Sequence, residues 1–261
     1  MLLGVNIDHI AVLREARAIN DPNPLDALGI CKLSGADQIT IHLREDRRHI
    51  QDEDAKNIIN LSQLPVNLEC SINDEIVDIA CKLKPHRVTL VPENRAEVTT
   101  EGGLDVESNY EQIKKVVKKL KENEIEVSLF IDPNEKVIEL SAKLKVQWIE
   151  LHTGKFANIF AMLNSGLNKT HHSIKELELP RKELSKIFVK SVEELEIASE
   201  TADDLGLKVA AGHGLNYQNV DFIAQITDIE ELNIGQSIIA RSVFDGLSTA
   251  IKDMKKLIVD A

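Results

Sequence analysis

Short apolar runs alternate along this chain with longer segments in which apolar residues recur every three or four positions. The short runs are rich in β-branched residues and predict strands, whereas the longer segments predict amphipathic helices. Ile113, Val117 and Leu120, for example, fall on one face of a helix. We predict strands at Leu3–Ile7, Gln38–His42, Val66–Glu69, Arg87–Val91, Glu126–Ile131, Trp148–Leu151, Lys208–Ala211 and Glu231–Ile234. We predict helices at Pro24–Ser34, Asp52–Ser62, Asp74–Leu83, Asn109–Asn123, Asn134–Leu144, Val189–Leu205, Gln218–Gln225 and Val243–Ile258.

This alternation of strands and helices indicates an α/β protein with a parallel sheet, because parallel strands need a crossover connection. Eight such units within 261 residues fit a closed (β/α)₈ barrel, the TIM-barrel architecture, better than an open doubly wound sheet. The chain contains neither a low-complexity segment nor a change of composition that would mark a linker. We therefore expect a single catalytic domain over residues 1–261.

Composition and charge narrow the classes of partner. The chain is 43% hydrophobic and 28% charged, which is ordinary for a globular protein. Its net charge of −12 disfavours nucleic acid, because an acidic surface repels a phosphate backbone. A small anionic substrate remains compatible with this charge, since Arg side chains and backbone N–H groups act locally.

The sequence also bears on the cellular compartment. Its apolar runs fall short of the ~18–20 residues that cross a membrane, and Asp8 follows the first residue too closely for a signal peptide. The three cysteines, Cys31, Cys70 and Cys81, form no CxxC pair and suit free thiols in a reducing compartment. We expect a cytoplasmic protein that does not contact membranes.

Two segments interrupt the regular alternation. Pro92–Ser108 is a long connection after the fourth strand, and connections of this length inside compact domains are often functional. Asn164–Lys186 is a polar insertion rich in Lys and Glu around the sixth helix. It contains His171 and His172, which we interpret as residues of an exposed loop, because two adjacent histidines without further ligands rarely bind a metal.

Ionisable or hydrogen-bonding residues occur at the carboxyl end of almost every predicted strand. In a (β/α)₈ barrel, these ends meet on the face that carries the active site. Burying so many polar groups without a function costs several kcal/mol for each unpaired group. The residues are Asn6, Asp8 and His9, His42 and Arg44, Glu69, Glu93, Asp132, Glu150 and His152, His213, and Asn233 with Gln236. The sequence therefore predicts an enzyme active site at this face.

Three of these residues suit acid–base catalysis. His42, Glu69 and His213 come from the second, third and seventh strands, and His titrates near neutral pH. A Glu in a crowded site can also be raised toward neutrality. The competing interpretation is a metal site, but the sequence lacks HxH and HExxH spacings, and Arg44 and Arg17 would repel a cation. We therefore expect no metal.

Glycines at the ends of the last two strands indicate a phosphate site. Gly212, Gly214 and Gly235 lie where barrels commonly bind phosphate through backbone N–H groups and the N-terminus of a following helix. The segment Gln236–Ala240 can form that helix. A second anion can be bound near the first two strands by Arg17, Arg44 and His49. We interpret the neighbouring Arg47 and Arg48 as a solvated charge cluster.

Several motifs are similar to those of the pyridoxine 5′-phosphate synthase family. The resemblance extends from the first strand to the last, and HLREDRRHI and VTTEGGLDV are its most specific segments. The matching motifs are VNIDHIAVLREAR (Val5–Arg17), ITIHLREDRRHI (Ile39–Ile50), NLE (Asn67–Glu69), LVPE (Leu90–Glu93), VTTEGGLDV (Val98–Val106), IELHTG (Ile149–Gly154), AGHGLNY (Ala211–Tyr217) and NIGQSII (Asn233–Ile239).

The resemblance implies a (β/α)₈ barrel with extra helices that assembles as a homo-octamer built from dimers. It implies a ring-closing synthase, of the transferase class, in vitamin B6 biosynthesis. The reaction condenses 3-amino-2-oxopropyl phosphate with 1-deoxy-D-xylulose 5-phosphate, and it yields pyridoxine 5′-phosphate, phosphate and water. It implies no metal and no organic cofactor.

The resemblance also implies roles for individual residues. His42 and Glu69 resemble proton acceptors, His213 a proton donor, and Glu150 the residue that stabilises a transition state. The loop Thr99–Gly103 resembles the active-site lid of the family. Residues resembling contacts to the amino-ketone phosphate are Asn6, Arg17, Gly214, Gly235 and Gln236. Residues resembling contacts to deoxyxylulose phosphate are Asp8, His9, Arg44, His49 and Thr99.

Two alternatives remain open at the level of the sequence. One is another phosphate-binding barrel, an isomerase or lyase that acts on a single sugar phosphate, but it does not explain two anion sites. The other is a non-catalytic barrel that binds a sugar phosphate. The complete set of His42, Glu69 and His213 argues against the second alternative, since a non-catalytic barrel has no need for all three.

Overall fold

The eight strands form one closed barrel in a computed structural model that describes residues 1–93 and 102–261. All neighbouring strands are parallel, and β1 pairs with both β2 and β8. The predicted (β/α)₈ barrel is therefore confirmed, with each strand end within one residue of its predicted position. The strands are β1 (Leu2–Asn6), β2 (Gln38–His42), β3 (Val66–Cys70), β4 (Arg87–Leu90), β5 (Glu126–Ile131), β6 (Trp148–His152), β7 (Lys208–Gly212) and β8 (Glu231–Ile234).

Helices surround this barrel. Short turns of 3₁₀ helix lie at Pro24–Asp26, Leu167–Lys169 and Lys175–Leu177. The α-helices are α1 (Asp8–Glu15), α2 (Ala27–Leu33), α3 (Asp52–Leu61), α4 (Asp74–Leu83), α5 (Tyr110–Glu122), α6 (Glu135–Lys143), α7 (Gly154–Asn164), α8 (Arg181–Asp204), α9 (Val220–Ala224), α10 (Gln236–Asp245) and α11 (Leu247–Asp260).

Side chains alternate strictly between the two faces of the barrel strands. In β2, Ile39 and Ile41 belong to the hydrophobic core that lies between the strands and the helices. The intervening Gln38, Thr40 and His42 are also buried, although they are polar. Because successive side chains of a strand point to opposite faces, these polar residues point into the barrel. The interior of this barrel is therefore rich in polar groups, whereas barrel interiors are usually filled by branched apolar residues.

Three helices differ from the sequence-based prediction. α1 and α7 were not predicted, because their first residues, Asp8 and Gly154, belong to motifs that we had interpreted as strand ends. α8 begins at Arg181 rather than at the predicted Val189. Its first turn, Arg181–Leu184, exposes three polar residues in a row, so the apolar period that marks a helix begins only later.

The C-terminal region contains two helices where one was predicted. The predicted helix Val243–Ile258 spans the end of α10 and most of α11, and the two helices meet at Gly246, whose φ is +78°. A left-handed residue ends an α-helix, and glycine adopts this conformation without strain. The short helix predicted at Gln236–Ala240 is confirmed as the first half of α10.

The polar insertion consists of the end of α7, two 3₁₀ turns and the beginning of α8. His171 and His172 are exposed there, as predicted. None of the helices within residues 1–93 and 102–261 combines the length and the apolar character that crossing a bilayer requires.

Candidate active site

A cavity of about 310 Å³ opens at the carboxyl ends of the strands. The structure brings residues from β1, β2, β3, β5, β6 and β8, and from the segments that follow β4, β7 and β8, together around it. The most distant of them, Asn6 and Gln236, are 230 positions apart in the sequence. The predicted site residues that line it are Asn6, His9, His42, Glu69, Glu150, His213, Gly214, Gly235 and Gln236. The prediction that distant strand ends form one site is therefore consistent with the geometry.

The remaining predicted residues lie outside this lining. Asp8 is buried behind His42, and its Oδ1 atom accepts a hydrogen bond of 2.9 Å from the backbone N–H of His42. Arg44 is buried beside Glu93, with Nε 4.0 Å from Oε2 of that carboxylate. Arg17 is exposed and does not line the cavity within this chain. Thr99 and the first part of the predicted lid lie outside the residues that the structure describes.

His42 lies between two carboxylates at the end of β2. Its Nε2 atom is 2.9 Å from Oε1 of Glu93, and its Nδ1 atom is 3.9 Å from Oε2 of Glu69. Burial acts to raise the pKa of Glu93, but the hydrogen bond and charge of His42 outweigh it, and the pKa lies below its usual value. Glu93 is therefore an ionised partner that orients the imidazole toward the cavity.

Two carboxyl groups in the cavity retain their protons more strongly than usual. Burial, followed by the charges of Glu150 and Asp8, holds the pKa of Glu69 well above its ordinary value. Burial and the charge of Glu231 raise the pKa of Glu150 to about 7, although Arg87 and a hydrogen bond from Asn233 oppose the rise. Two acids in one cavity whose pKa values are raised in this way can exchange protons with a substrate.

Burial also changes the titration of the groups beside His42. It raises the pKa of Asp8 to about 6, against the opposing effect of His42. It lowers the pKa of His49 to about 3, with a further contribution from the charge of His42. It lowers the pKa of His9 as well. Both imidazoles are therefore neutral at pH 7, and each can donate one hydrogen bond and accept another.

His213 follows β7 in a strained backbone conformation, with φ of +85°. Side chains rarely adopt this region, and strained residues of this kind cluster at functional sites. The His213 ring packs edge-on against His152, with centroids 4.9 Å apart, and Nδ1 of His152 lies 3.0 Å from Oδ1 of Asp132. Burial and the charge of His152 lower the pKa of His213 to about 4.

The N-terminus of α10 supplies an anion-binding feature at the same cavity. Gly235 precedes α10, and Gln236 is its first residue. A Cβ atom on Gly235 would lie 2.8 Å from Cβ of Asn6, so only glycine permits this approach of β8 to β1. The first N–H groups of a helix have no partner within the helix, and they carry partial positive charge. A phosphate group fits this position.

Three residues at the strand ends, Glu93, Asp132 and His152, were noted in the sequence without a role. Glu93 contacts His42, and the pair Asp132–His152 contacts His213. Their position at the ends of β4, β5 and β6 was the available signal, but the identity of each partner depends on strand register. Within the described parts of the chain, no three His, Cys, Asp or Glu side chains are arranged to hold a metal ion.

Comparison with known proteins assigns the chain to a family. The model of the family described as "Pyridoxal phosphate biosynthesis protein PdxJ" matches residues 3–260. The chain belongs to the PdxJ family. The resemblance inferred from the motifs is thereby confirmed, and the match covers the barrel from its first strand to its last helix.

Relatives within the PdxJ family are similar over their full length. The pyridoxine 5′-phosphate synthase of Aliarcobacter butzleri (strain RM4018) is 73% identical over 258 residues, which cover 99% of this chain and 99% of that protein. The pyridoxine 5′-phosphate synthase of Sulfurovum sp. (strain NBC37-1) is 66% identical over 99% of this chain and 100% of that protein.

Solved structures of more distant proteins share the fold. The phosphoribosyl anthranilate isomerase of Thermococcus kodakaraensis superposes with a TM-score of 0.60 and covers 100% of this chain and 99% of its own. The two sequences are only 13% identical, so this similarity concerns the barrel and not the chemistry.

Proposed function

We propose that this chain is a pyridoxine 5′-phosphate synthase. It condenses 3-amino-2-oxopropyl phosphate with 1-deoxy-D-xylulose 5-phosphate and forms pyridoxine 5′-phosphate, phosphate and water. The observation that carries the proposal is one cavity lined by His42, Glu69, Glu150 and His213 that also includes the N-terminus of α10. The full-length similarity to proteins of that name supports the same reaction.

The two substrates bind at opposite sides of the cavity in this proposal. The phosphate of the amino-ketone lies at Gly214, Gly235 and Gln236, where backbone N–H groups at the start of α10 compensate its charge. Deoxyxylulose phosphate lies nearer β1 and β2, where His9 lines the cavity. Its contacts with Asp8, His9, Arg44, His49 and Thr99 are predictions from the motifs. Asn6 separates the two positions, because it contacts both Gly235 and Asp8. The role of Arg17 in phosphate binding stays a prediction.

The substrate amine and the ketone of deoxyxylulose phosphate first form an imine with loss of water. The amine must lose protons, and the departing hydroxyl must gain one. Burial and neighbouring carboxylates hold the pKa of Glu69 well above its ordinary value, whereas a substrate ammonium group nearby favours its carboxylate form, which then accepts protons together with His42. Glu150 faces the same cavity, and as a carboxylate it stabilises the positive charge of the iminium ion.

Ring closure at the ketone carbon of the amino-ketone, with loss of its oxygen as water, needs a proton donor at the other side of the cavity. His213 is neutral in the empty site. A bound phosphate dianion beside Gly214 raises the affinity of the imidazole for a proton, so His213 becomes able to protonate a leaving oxygen. Each such proton transfer contributes roughly 10²–10⁴-fold to the rate.

The wider setting of the enzyme is part of the same proposal. We propose a single catalytic domain over residues 1–261, in a homo-octamer built from dimers, in the cytoplasm, without metal or organic cofactor. The single closed barrel formed by all eight strands supports the single domain.

The experiment follows phosphate release by the purified protein in the presence of a metal chelator. With both substrates, phosphate and pyridoxine 5′-phosphate form in equal amounts, the latter identified by mass spectrometry. With either substrate alone, no phosphate is released. Phosphate release from deoxyxylulose phosphate alone would indicate a lyase. Binding of substrate without any turnover would indicate a non-catalytic barrel, and loss of activity with chelator would contradict the metal-free mechanism.

A further inference from the structure

A chain of hydrogen bonds connects Glu150 to an ion pair deep in the barrel. Arg87 of β4 and Glu231 of β8 form this ion pair, which is almost completely buried. Asn233 lies between it and the cavity: Nδ2 donates to Oε2 of Glu150 at 2.8 Å and to Oε1 of Glu231 at 3.2 Å. We refer to Arg87, Glu231, Asn233 and Glu150 as the interior ladder.

The orientation of the Asn233 amide is fixed from the opposite side. Thr40 Oγ1 donates a hydrogen bond of 3.0 Å to Oδ1 of Asn233. A rotated amide would turn its oxygen toward two carboxyl groups and lose the two bonds that Nδ2 donates to them. The Nδ2 group therefore points permanently at the Glu150 carboxyl.

Two glycines provide the space for this arrangement. A Cβ atom on Gly4 would overlap Oδ1 of Asn233, and a Cβ atom on Gly212 would overlap Oε1 of Glu150. Any other residue at either position would displace the polar group from the barrel interior. Gly4 of β1 and Gly212 of β7 therefore leave room for the side chains of Asn233 and Glu150.

We propose that Asn233 is a positioning residue for the reaction, which holds the Glu150 carboxyl group in one orientation and makes its carboxylate form available in the cavity. This inference rests on the proposed function, because it assumes that Glu150 acts on the substrates. In this proposal Asn233 acts on the reaction through Glu150, by the hydrogen bond from Nδ2 to Oε2. Removal of the bond has two effects: the carboxyl group rotates freely, and it holds its proton more strongly.

Other charges also shift the proton affinity of Glu150, and they are present in both the wild type and the Asn233 variant. Glu231 and Glu69 favour its protonated form, while Arg87 favours its carboxylate form. The titratable and charged groups that face Glu150 from the surrounding elements are Glu69 of β3, Arg87 of β4, Glu231 of β8, His42 of β2, His9 of α1, His152 of β6 and His213 after β7. Asn233→Leu leaves all of these charged and titratable groups in place and removes the amide that donates to Glu150 and Glu231.

The first measurement is direct and does not depend on turnover. Difference infrared spectra between the wild type and Glu150→Gln assign the carboxyl band of Glu150, and its titration is followed in each variant. We expect Asn233→Leu to raise the midpoint by at least about half a pH unit. A matched control is Thr89→Val, which removes a buried bond of 2.8 Å to Asn67 elsewhere in the barrel interior. The control should leave the midpoint unchanged.

The second measurement is a double-mutant cycle on kcat. Asn233→Leu should lower kcat by roughly tenfold or more, with KM for each substrate within about threefold of the wild type. In a protein that already carries Glu150→Gln, the same substitution should lower kcat by less than about twofold, because the carboxyl group through which Asn233 acts is absent. Thr89→Val should change kcat by the same factor in the wild-type protein and in the Glu150→Gln protein.

The outcomes separate this inference from the proposed function. An unchanged Glu150 midpoint in folded Asn233→Leu, or equal losses of kcat in both backgrounds, would overturn the positioning role. A wild-type protein without synthase turnover would overturn the proposed function, and the infrared titration would still decide whether Asn233 controls Glu150.

Discussion

His42 Nε2 lies 2.9 Å from Oε1 of Glu93, and this contact holds the imidazole at the cavity. The Glu93 carboxylate is itself fixed, because its Oε2 atom accepts a hydrogen bond of 3.0 Å from the backbone N–H of Glu45. We predict that Glu93→Gln lowers kcat by roughly tenfold to 100-fold and changes KM little, since the variant loses the charge that orients His42 as a base. Steady-state kinetics with both substrates measures the effect.

Glu45→Gln is the matched control for Glu93. The Glu45 side chain accepts a hydrogen bond from Ser71 instead, at 2.7 Å. This variant should retain kcat within about twofold. Equal losses in the two variants would show that the local loop, and not the contact with His42, determines the rate.

Glu69→Gln tests the second proton acceptor. Gln has the same shape but cannot accept a proton, so we predict a decrease of kcat by at least about 10² with the fold intact. Circular dichroism and thermal unfolding verify the fold, and phosphate release measures the rate. The exposed Glu75 supplies a control, because Glu75→Gln changes a carboxylate that lies outside the cavity. Near-normal turnover in Glu69→Gln would contradict the role of Glu69 as a base.

The strands could be predicted from the sequence because the residues that point outward from them are apolar. These residues give short apolar runs that alternate with helical segments along the chain. Ile39 and Ile41, for instance, mark β2 clearly. The pattern does not reveal that Gln38, Thr40 and His42 point into a closed barrel, since the same alternation occurs in a sheet with one face in water. Closure depends on β1 pairing with β8, a contact between the two ends of the chain.

The site residues could be predicted as a set, but their partners could not. Placing His42, Glu69, Glu150 and His213 at strand ends requires only the order of strands and the rule for barrel active sites. That Glu93 contacts His42, or that Asn233 contacts Glu150, depends on side-chain directions in the folded barrel. Arg17 follows α1 on the exposed surface of this chain, and its phosphate contact, suggested by the motif, stays a prediction.

His213→Ala tests the proton donor. The imidazole packs against His152 and lines the cavity beside Gly214, so its removal leaves the leaving oxygen without a nearby acid. We predict a loss of kcat of at least about 10². His171→Ala, on the exposed insertion, is the control and should retain full activity. Comparable activity of both variants would exclude His213 as the donor.

Arg44→Ala tests the binding of deoxyxylulose phosphate. Arg44 is buried beside the Glu93 carboxylate, near the position proposed for this substrate. We predict that the variant raises KM for deoxyxylulose phosphate by roughly tenfold, because one charge-assisted hydrogen bond is lost, and leaves KM for the amino-ketone within about twofold. Arg47→Ala is the matched control, since Arg47 bonds to Asp52 and Glu75 instead. An equal rise of both KM values would contradict a specific contact.

The pH dependence of folding stability tests the burial of Glu150. Burial, with the charge of Glu231, raises the pKa of Glu150 from 4.5 to about 7, so the folded protein binds a proton there that the unfolded chain has released. Stability from this group is present below pH 4.5 and is lost as the pH rises through about 7. The Gln side chain in Glu150→Gln does not titrate, so the stability of this variant does not fall with pH for this reason. We therefore predict that the variant gains stability relative to the wild type between pH 4.5 and 8, by up to about 3 kcal/mol.

Urea unfolding at a series of pH values measures this difference. Asp8 and His213 are present in both proteins and their contributions cancel, whereas loss of the Glu150 charge lowers the pKa of Glu69 and adds to the gain in the same direction. Glu111→Gln serves as the control, because the Glu111 side chain is 75% exposed and its substitution should give a difference that does not vary with pH. A pH-independent difference for Glu150→Gln as well would show that Glu150 titrates in the folded barrel as it does in water.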